Sequence, residues 1–178
     1  MFKEIDVAGC VPEAAGKINT EWMLVTAGTA GSPAAAMTVS WGTFGFIWGR
    51  HIANVVIRKS RNTLGPMLEN GVFALSLFDR SYHDKLMWCG RNSGRDYDKA
   101  AHCGFTVLYR EGVPYFAEAD TVLFCRTLYT AELTEPNFTD RGVYEAWYSG
   151  AEQGNAHIGF YAQIEAALAR IIGTAHPA

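Results

Sequence analysis

Short runs of apolar residues recur along the chain, and most of them are separated by turns that contain Gly, Pro or Asn. The clearest run is Val72–Phe78, where Phe73, Leu75 and Leu77 alternate with smaller or polar residues. A period of two places these three side chains on one face of a β-strand. Comparable runs predict further strands at Trp22–Thr29, Ala35–Trp41, His51–Arg58, Phe105–Tyr109, from Tyr115 onward and at Thr121–Thr130.

Helical patterns are fewer and shorter. One helix is predicted to begin at Ser60, whose side chain would cap the first turn, and to end at Asn70-Gly71 with the glycine in a left-handed conformation. Two more helical stretches are predicted between Tyr82 and Cys103, on either side of Gly90–Gly94. Residues 1–20 are expected to form an irregular lead-in, and residues 131–155 a polar, lid-like excursion.

The last segment, His157–Ile172, has two interpretations. Its first half, HIGFYAQI, suits a strand, whereas EAALARII has helical spacing. Strands nevertheless dominate the chain and are mostly joined by tight turns, without sustained βαβ alternation. The pattern therefore predicts a mainly β fold with helical insertions, arranged as a closed antiparallel barrel in one domain that spans residues 1–178.

Composition narrows the possible functions. The 178 residues carry a net charge of −3, which argues against a nucleic-acid partner. The sequence shows neither a secretory signal nor an apolar run long enough to cross a membrane, so we expect no membrane partner. Four scattered cysteines without a C-x-x-C pair are typical of reduced thiols in a cytoplasmic protein. No spacing of His, Cys, Asp or Glu predicts a metal site.

Basic residues are few, but several crowd into one short stretch. Arg58, Ser60, Arg61 and Thr63 lie within six residues, next to the predicted helix start. Guanidinium and hydroxyl groups are good ligands for a phosphate dianion. A solvated basic turn with an ordinary helix cap explains the same residues, and the sequence alone leaves both interpretations open.

A second stretch, Met37–Gly42, could face a flat polar ring. In a strand, Thr38 and Ser40 share one face with Gly42, and apolar side chains occupy the other face. Backbone amides together with small hydroxyls could hydrogen-bond to ring carbonyls, although a half-buried barrel wall would have the same pattern. Our hypothesis is that one ligand spans Met37–Thr63, with its ring at the first end and its phosphate at the second.

Several longer motifs carry a resemblance to a known family. They are MTVSWG, VVIRKSRNT, FALSLF, CGRNSGRDYDKAAHCG, PYFAEADTVLFCRTLY and NFTDRGVYEAWY. Over about residues 20–165 this series resembles the flavin reductase-like, flavoredoxin-type proteins of the FMN-binding split-barrel superfamily. The resemblance implies a homodimeric antiparallel split β-barrel with non-covalent FMN near the dimer interface.

The resemblance also implies roles for individual residues. The stretch that would line the isoalloxazine, largely through backbone atoms, is Met37, Thr38, Val39, Ser40 and Trp41. The phosphate would be held by Arg58, Ser60, Arg61, Asn62 and Thr63. The segment that would fold over the cofactor supplies Cys89, Gly90, Ser93, Gly94 and Lys99.

The activity implied by the resemblance is that of an NAD(P)H-dependent flavin reductase, with NADH or NADPH as co-substrate. The alternative is a flavoredoxin-type electron carrier that is reduced by a redox partner protein. In either case the flavin performs the chemistry, and no catalytic acid–base residue is required. His157 is a candidate substrate contact. Family members often have Gly-Glu-Ile or Gly-Glu-Val where this chain has Ala162-Gln163-Ile164, so the carboxylate at that position is missing.

Overall fold

The predicted strands form two antiparallel sheets in the computed structural model, which describes residues 1–31 and 33–171. The strands are β1 (Phe2–Ile5), β2 (Met23–Ala27), β3 (Ala35–Val39), β4 (Gly42–Ile47), β5 (Arg50–Arg58), β6 (Val72–Leu77), β7 (Val107–Arg110), β8 (Val113–Phe116), β9 (Thr121–Glu132) and β10 (His157–Arg170). The α-helices are α1 (Val7–Thr20), α2 (Leu64–Asn70), α3 (His83–Arg91), α4 (Lys99–Cys103) and α5 (Arg141–Tyr148). The mainly β fold with helical insertions is therefore confirmed.

The large sheet has the strand order β3-β2-β6-β9-β10-β5-β4, with β1 paired to the end of β10. Its two terminal strands, β3 and β4, are not hydrogen-bonded to each other. The expectation of a closed barrel was therefore wrong, because the sheet stays open between these strands. Gly42 starts β4 where a Cβ atom would lie 2.2 Å from the carbonyl oxygen of Asn54. Only a glycine lets the chain leave β3 and pass this close to β5.

Two apolar clusters hold the sheet together, one on each face. The first is built from β-strand side chains that include Phe73, Leu75 and Leu77, as the alternation of β6 predicted. The second lies on the opposite face of β6 around Ala74 and includes residues of α3, α4 and the β7–β8 hairpin. Helices α3 and α4 are therefore anchored by burial against the outer face of the sheet.

The expectation of an irregular lead-in over residues 1–20 was wrong. Asp6 caps α1 by accepting a hydrogen bond from the backbone N–H of Gly9 at 3.0 Å. Cys10, Ala14 and Ile18 recur every four residues and are buried in the first cluster. Pro12 lies inside this helix, and a proline is a signal that normally argues against helix.

The open question about the last segment is settled as far as Arg170. Residues His157–Arg170 form a single strand, so the helical interpretation of the alanine-rich part was wrong for these residues, while 172 lies outside the described part. Ala167 packs into the first cluster, whereas Ala166 and Leu168 pack into the second. Because both faces are buried, the polar–apolar alternation that marks most strands is absent here.

The remaining helices follow the prediction with one correction. Gly71 ends α2 with φ of 65°, as predicted. The N-cap of α2 is Thr63 and not Ser60, and the Thr63 side chain makes no capping hydrogen bond. The expected break within residues 82–103 separates α3 from α4, and residues 131–155 contain α5 flanked by short 3-10 turns.

Two further features bear on the expectations from composition. All four cysteines are buried, free thiols. In residues 1–31 and 33–171, no helix is long and apolar enough to cross a membrane.

Candidate functional site

A cleft of about 390 Å³, here called the β3 cleft, follows the unpaired edge of β3 where the sheet is open. Its lining comprises Met37, Thr38, Val39, Ser40, Trp41, Val56, Arg58, Arg61, Trp147 and His157. Strand β3 pairs with β2 on one side only, so its backbone N–H and C=O groups on the other side have no strand partner. The edge can therefore donate hydrogen bonds to a ligand and accept them from it.

The Thr38 side chain is directed toward α3. Its hydroxyl donates a hydrogen bond to the carbonyl of Leu86, and a Cβ atom at Gly90 would lie 3.3 Å from the Thr38 Cβ. Helix α3 thus packs tightly against β3, and the missing side chain at Gly90 permits this contact. What remains for a ligand at this position of the strand is mainly backbone.

Three aromatic rings meet at one end of the β3 cleft. The Trp41 ring centroid lies 4.6 Å from that of Trp147, edge to face, and 5.3 Å from that of His157. The His157 Nδ1 atom is hydrogen-bonded to the Tyr148 hydroxyl at 2.8 Å. Burial lowers the pKa of His157 to about 4, and the nearby charges of Arg58 and Arg61 lower it further in the same direction. His157 is therefore neutral at pH 7 and acts as a hydrogen-bonding group.

Arg58 is bound by the segment at residues 141–155. Its guanidinium pairs with the Glu152 carboxylate at 3.0 Å and donates to the carbonyls of Asn155 and Trp147 at 3.1 and 3.2 Å. The same group lies over the Tyr148 ring, 5.5 Å from its centroid. Most donors of Arg58 are thus already engaged, which the sequence did not anticipate.

Arg61 has quite different surroundings. In the described part of the chain its guanidinium forms no ion pair, and its printed hydrogen bond goes to the carbonyl of Gly90 at 3.2 Å. A small cleft of about 100 Å³, here called the Arg61 cleft, adjoins the β3 cleft through Met37 and Arg61. Its lining comprises Met37, Ser60, Arg61, Asn62, Thr63, Asn92, Ser93, Gly94, Arg95 and Lys99. Arg61 also lines a third space of about 260 Å³ between β3 and α3.

The backbone around Arg61 is held in place by long-range contacts. The Ser60 N–H donates to Asn155 Oδ1 at 3.0 Å, and the Ser60 carbonyl accepts from Arg95 at 3.2 Å. Lys59 pairs with Glu132 at 2.6 Å on the surface, away from these clefts. The turn is thus fixed from both sides while the Arg61 guanidinium stays available.

The residues expected to fold over the cofactor are only partly brought to the clefts. Gly94 and Lys99 line the Arg61 cleft together with Ser93, whose hydroxyl accepts from the Arg95 N–H at 3.1 Å. Lys99 is buried, its ammonium donates to the Cys89 carbonyl at 2.6 Å, and burial lowers its pKa.

Cys89 does not present its thiol to the clefts. Its sulfur lies 3.6 Å from the sulfur of Cys103 within the second apolar cluster, and burial raises its pKa to about 12. Only its carbonyl reaches the site, through Lys99.

Sequence reasoning missed three residues that line these clefts: Trp147, Asn92 and Arg95. Trp147 had a signal, since Tyr144, Trp147 and Tyr148 are spaced as one aromatic face of a helix. Arg95 had a weaker one, as a basic residue directly after the glycine-rich break.

Two other potential sites offer less. A cleft of about 370 Å³ beside β6 and β9 contains Arg110 and Arg126, but each is already paired, with Glu4 at 3.1 Å and Glu165 at 2.7 Å. Among the described residues, no group of three or more His, Cys, Asp or Glu side chains is placed to hold a metal ion.

Comparisons with known proteins agree with this architecture. The model of the family described as flavin reductase like domain matches residues 15–167. The flavoredoxin of Methanosarcina acetivorans is similar in structure, with a TM-score of 0.64 and 24% identity over 84% of this chain and 68% of that one. The FMN-binding domain of a flavin reductases-like enzyme from Shewanella baltica has a TM-score of 0.68 and 18% identity over 99% and 82%.

A Shewanella frigidimarina protein described as having a split barrel domain is also similar, with a TM-score of 0.64 and 12% identity over 96% of this chain and 77% of that one. At these identities the similarity concerns the fold, and it confirms the predicted split-barrel class. No curated protein matches this chain in sequence. Because the family model covers most of the residues, the chain belongs to the flavin reductase-like domain family.

Proposed function

We propose that this protein is a flavoprotein oxidoreductase that binds FMN non-covalently, with the isoalloxazine along β3 and the phosphate at Arg61. The observation that carries the proposal is the position of Arg61, an arginine without a carboxylate partner in the described part of the chain, where the β3 cleft and the Arg61 cleft meet. A phosphate ester joined to a flat ring fits such a junction, because charge-assisted hydrogen bonds hold the anion and strand edges hold the ring.

The residues present fit this cofactor. The free edge of β3 from Met37 to Trp41 offers backbone donors and acceptors to the polar end of the ring. Near the phosphate, Arg61 and Lys99 are close enough for the Arg61 charge to lower the pKa of Lys99, so a bound anion would relieve their repulsion.

The remaining proposed cofactor contacts differ in kind. Ser60, Asn62, Thr63, Ser93 and Gly94 would shape the phosphate cleft, while Cys89 and Gly90 would act through their carbonyls, on Lys99 and Arg61 respectively. Arg58 would act on the phosphate only indirectly, because it is bound to residues 147–155.

Bound FMN would supply the hydride and electron transfer. The chain itself would orient the ring through β3 and keep a neutral His157 and two tryptophans at the open end of the cleft. Trp41 and Trp147 are 37% and 49% exposed, so a second planar group, such as the nicotinamide of NADH or NADPH, could approach the ring there. His157 would then be a contact for that substrate.

The second candidate function is a flavoredoxin-type electron carrier, which is reduced by a protein partner and does not oxidise a nicotinamide. The same exposed tryptophans favour it, since an open ring edge also suits electron transfer between proteins. The similarity to the Methanosarcina acetivorans flavoredoxin supports it as well.

Both candidates include a homodimer. An exposed apolar patch at the β4–β5 turn, here called the Trp48 patch, comprises Phe46, Ile47, Trp48 and Tyr129. Patches of this kind are common at protein interfaces. Sedimentation analysis of the purified protein would show a dimer, and a Trp48→Glu variant would shift it toward the monomer; a wild-type monomer would contradict this part. The expectation of a cytoplasmic protein also stays in the proposal, on the evidence of its free thiols.

The proposal is tested by titrating the protein with FMN and then adding NADH or NADPH without oxygen. Quenching of flavin fluorescence would demonstrate binding, and rapid loss of absorbance near about 450 nm, a property of the oxidised ring, would demonstrate a reductase. Tight FMN binding without bleaching, together with reduction by dithionite, would indicate the carrier. Failure to bind FMN would contradict the central proposal.

A further inference from the structure

A larger cleft, here called the tyrosine cleft, opens beside the Arg61 cleft and has a volume of about 410 Å³. The two clefts share four residues, Asn62, Gly94, Arg95 and Lys99, so they adjoin at the proposed phosphate position. FMN as proposed above ends at that phosphate. The tyrosine cleft therefore lies beyond the end of the ligand and has no assigned occupant, although its volume is typical of small-molecule sites.

The boundary between the two clefts is positively charged. The Arg95 guanidinium forms no ion pair within residues 1–31 and 33–171, and the hydrogen bond printed for it goes to the Ser60 carbonyl at 3.2 Å. Lys99 lies at the same boundary and is 93% buried on the measure of its 7% exposure, with its ammonium on the Cys89 carbonyl. Together with Arg61, these groups carry more positive charge than a single phosphate monoester requires.

The tyrosine cleft also has flat apolar walls. Tyr97 and Tyr109 line it, with 50% and 42% of their surface exposed, and neither lines the Arg61 cleft. The Tyr97 ring packs edge to face on Trp88, with centroids 5.4 Å apart, so its orientation is supported from behind. Exposed aromatic rings of this kind are platforms on which nucleobases stack.

Two carboxylates complete the lining. Asp98 caps α4 by accepting from the Ala101 N–H at 3.0 Å, so it is already engaged. Asp96 also lines the cleft, and its backbone N–H bonds to the Ser93 carbonyl at 3.2 Å. A carboxylate acceptor of this type suits the hydroxyls of a ribose.

We propose that the tyrosine cleft binds an adenosine phosphate unit joined to the flavin phosphate, so that the preferred cofactor is the dinucleotide FAD. The inference rests on the proposed flavin site at Arg61. The first phosphate lies at Arg61, the second lies between Arg95 and Lys99, the ribose lies near Asp96, and the adenine stacks on Tyr97 or Tyr109. The shared chemistry, adenosine 5′-phosphate, also occurs in NADH and NADPH, and continuity with the Arg61 cleft favours the flavin as its source.

The test compares the dissociation constants of FAD, FMN and riboflavin for the apoprotein and for two variants. In the wild type we expect FAD to bind at least about tenfold more tightly than FMN, since a second phosphate and a stacked base add contacts. Tyr109→Ala should weaken FAD about 5- to 150-fold, the range for loss of one base–aromatic stack, and leave FMN within about twofold. Tyr129→Ala is the matched control, because Tyr129 is an equally exposed tyrosine outside all these clefts.

Three outcomes would overturn the inference. FAD could bind no more tightly than FMN, or Tyr109→Ala could weaken both flavins equally. With FMN-loaded protein, Tyr109→Ala could raise the KM for NADH, which would assign the cleft to the nicotinamide cofactor. In each of these cases FMN still binds, so the proposed function stands. If neither flavin binds, the proposed function itself fails, and the inference fails with it.

Discussion

Arg58 and Arg61 lie three residues apart and are chemically identical, yet the fold puts them to different uses. Arg58 lies at the end of β5, where Glu152, two backbone carbonyls and the Tyr148 ring surround its guanidinium. Arg61 lies in the following turn, where its hydrogen bond goes to the Gly90 carbonyl and two clefts meet. A cation already bound to a carboxylate gains less from a phosphate, because its existing partner must first be displaced.

The difference predicts the largest effect for Arg61. Arg61→Ala should weaken FMN binding by about 1.5–3 kcal/mol, or about 10- to 150-fold, because a hydrogen bond to a charged group is lost. Fluorescence titration of the apoprotein with FMN measures the change.

Two matched controls come from the same turn. Lys59→Ala removes a neighbouring positive charge that is paired with Glu132, and it should leave FMN affinity nearly unchanged. Arg58→Ala should have a smaller effect than Arg61→Ala. Equal losses for the two arginines would mean that Arg58 exchanges Glu152 for the phosphate, and no loss for either would move the phosphate elsewhere.

The comparison also shows which parts of the molecule were readable from sequence. The period of two in β6 and the glycine that ends α2 depend on neighbouring residues, and both were predicted correctly. The partners of Arg58 come from Trp147, Glu152 and Asn155, about ninety residues later, and no local pattern connects them. The sequence could therefore nominate both arginines, but it gave no reason to distinguish them.

Other errors have the same physical origin. Helix α1 was missed because Pro12 outweighed the regular spacing of Cys10, Ala14 and Ile18. The end of β10 was ambiguous because both of its faces are buried. Cys89 was expected at the cofactor on the resemblance alone, whereas the fold turns its thiol toward Cys103 and leaves only its carbonyl at the site. In each case a long-range contact decides the outcome.

His157 reports on both arginines, and its pKa predicts the next largest effect. The folded-state pKa of about 4 is below the ordinary value of 6.5, so the unfolded chain binds more protons between these two pH values. The free energy of unfolding should therefore fall by about 2 kcal/mol as the pH is lowered from 6.5 to 4. Urea unfolding of the apoprotein at several pH values measures this slope.

The control is His157→Gln, which keeps a polar side chain but does not titrate, and it should flatten that part of the pH profile. An unchanged slope would mean that other groups cause the loss. Arg58→Ala and Arg61→Ala should each raise the pKa of His157, because burial and these two charges together lower it. Bound phosphate should raise the pKa as well, by neutralising Arg61, and NMR titration of His157 would detect this.

The smallest effect concerns the structural role of Arg58. Arg58→Ala removes the ion pair with Glu152 and the hydrogen bonds to the carbonyls of Trp147 and Asn155. The pair is only partly exposed on the Arg58 side, at 15%, so we expect a loss of about 1–2 kcal/mol in the free energy of unfolding. Residues 141–155 should also become more susceptible to limited proteolysis, since this segment loses its main attachment to β5. Arg61→Ala should change neither measurement, because its guanidinium does not contact that segment. If Arg61→Ala destabilised the protein as much as Arg58→Ala, the division between an arginine that holds the fold and one that is free for a ligand would be wrong.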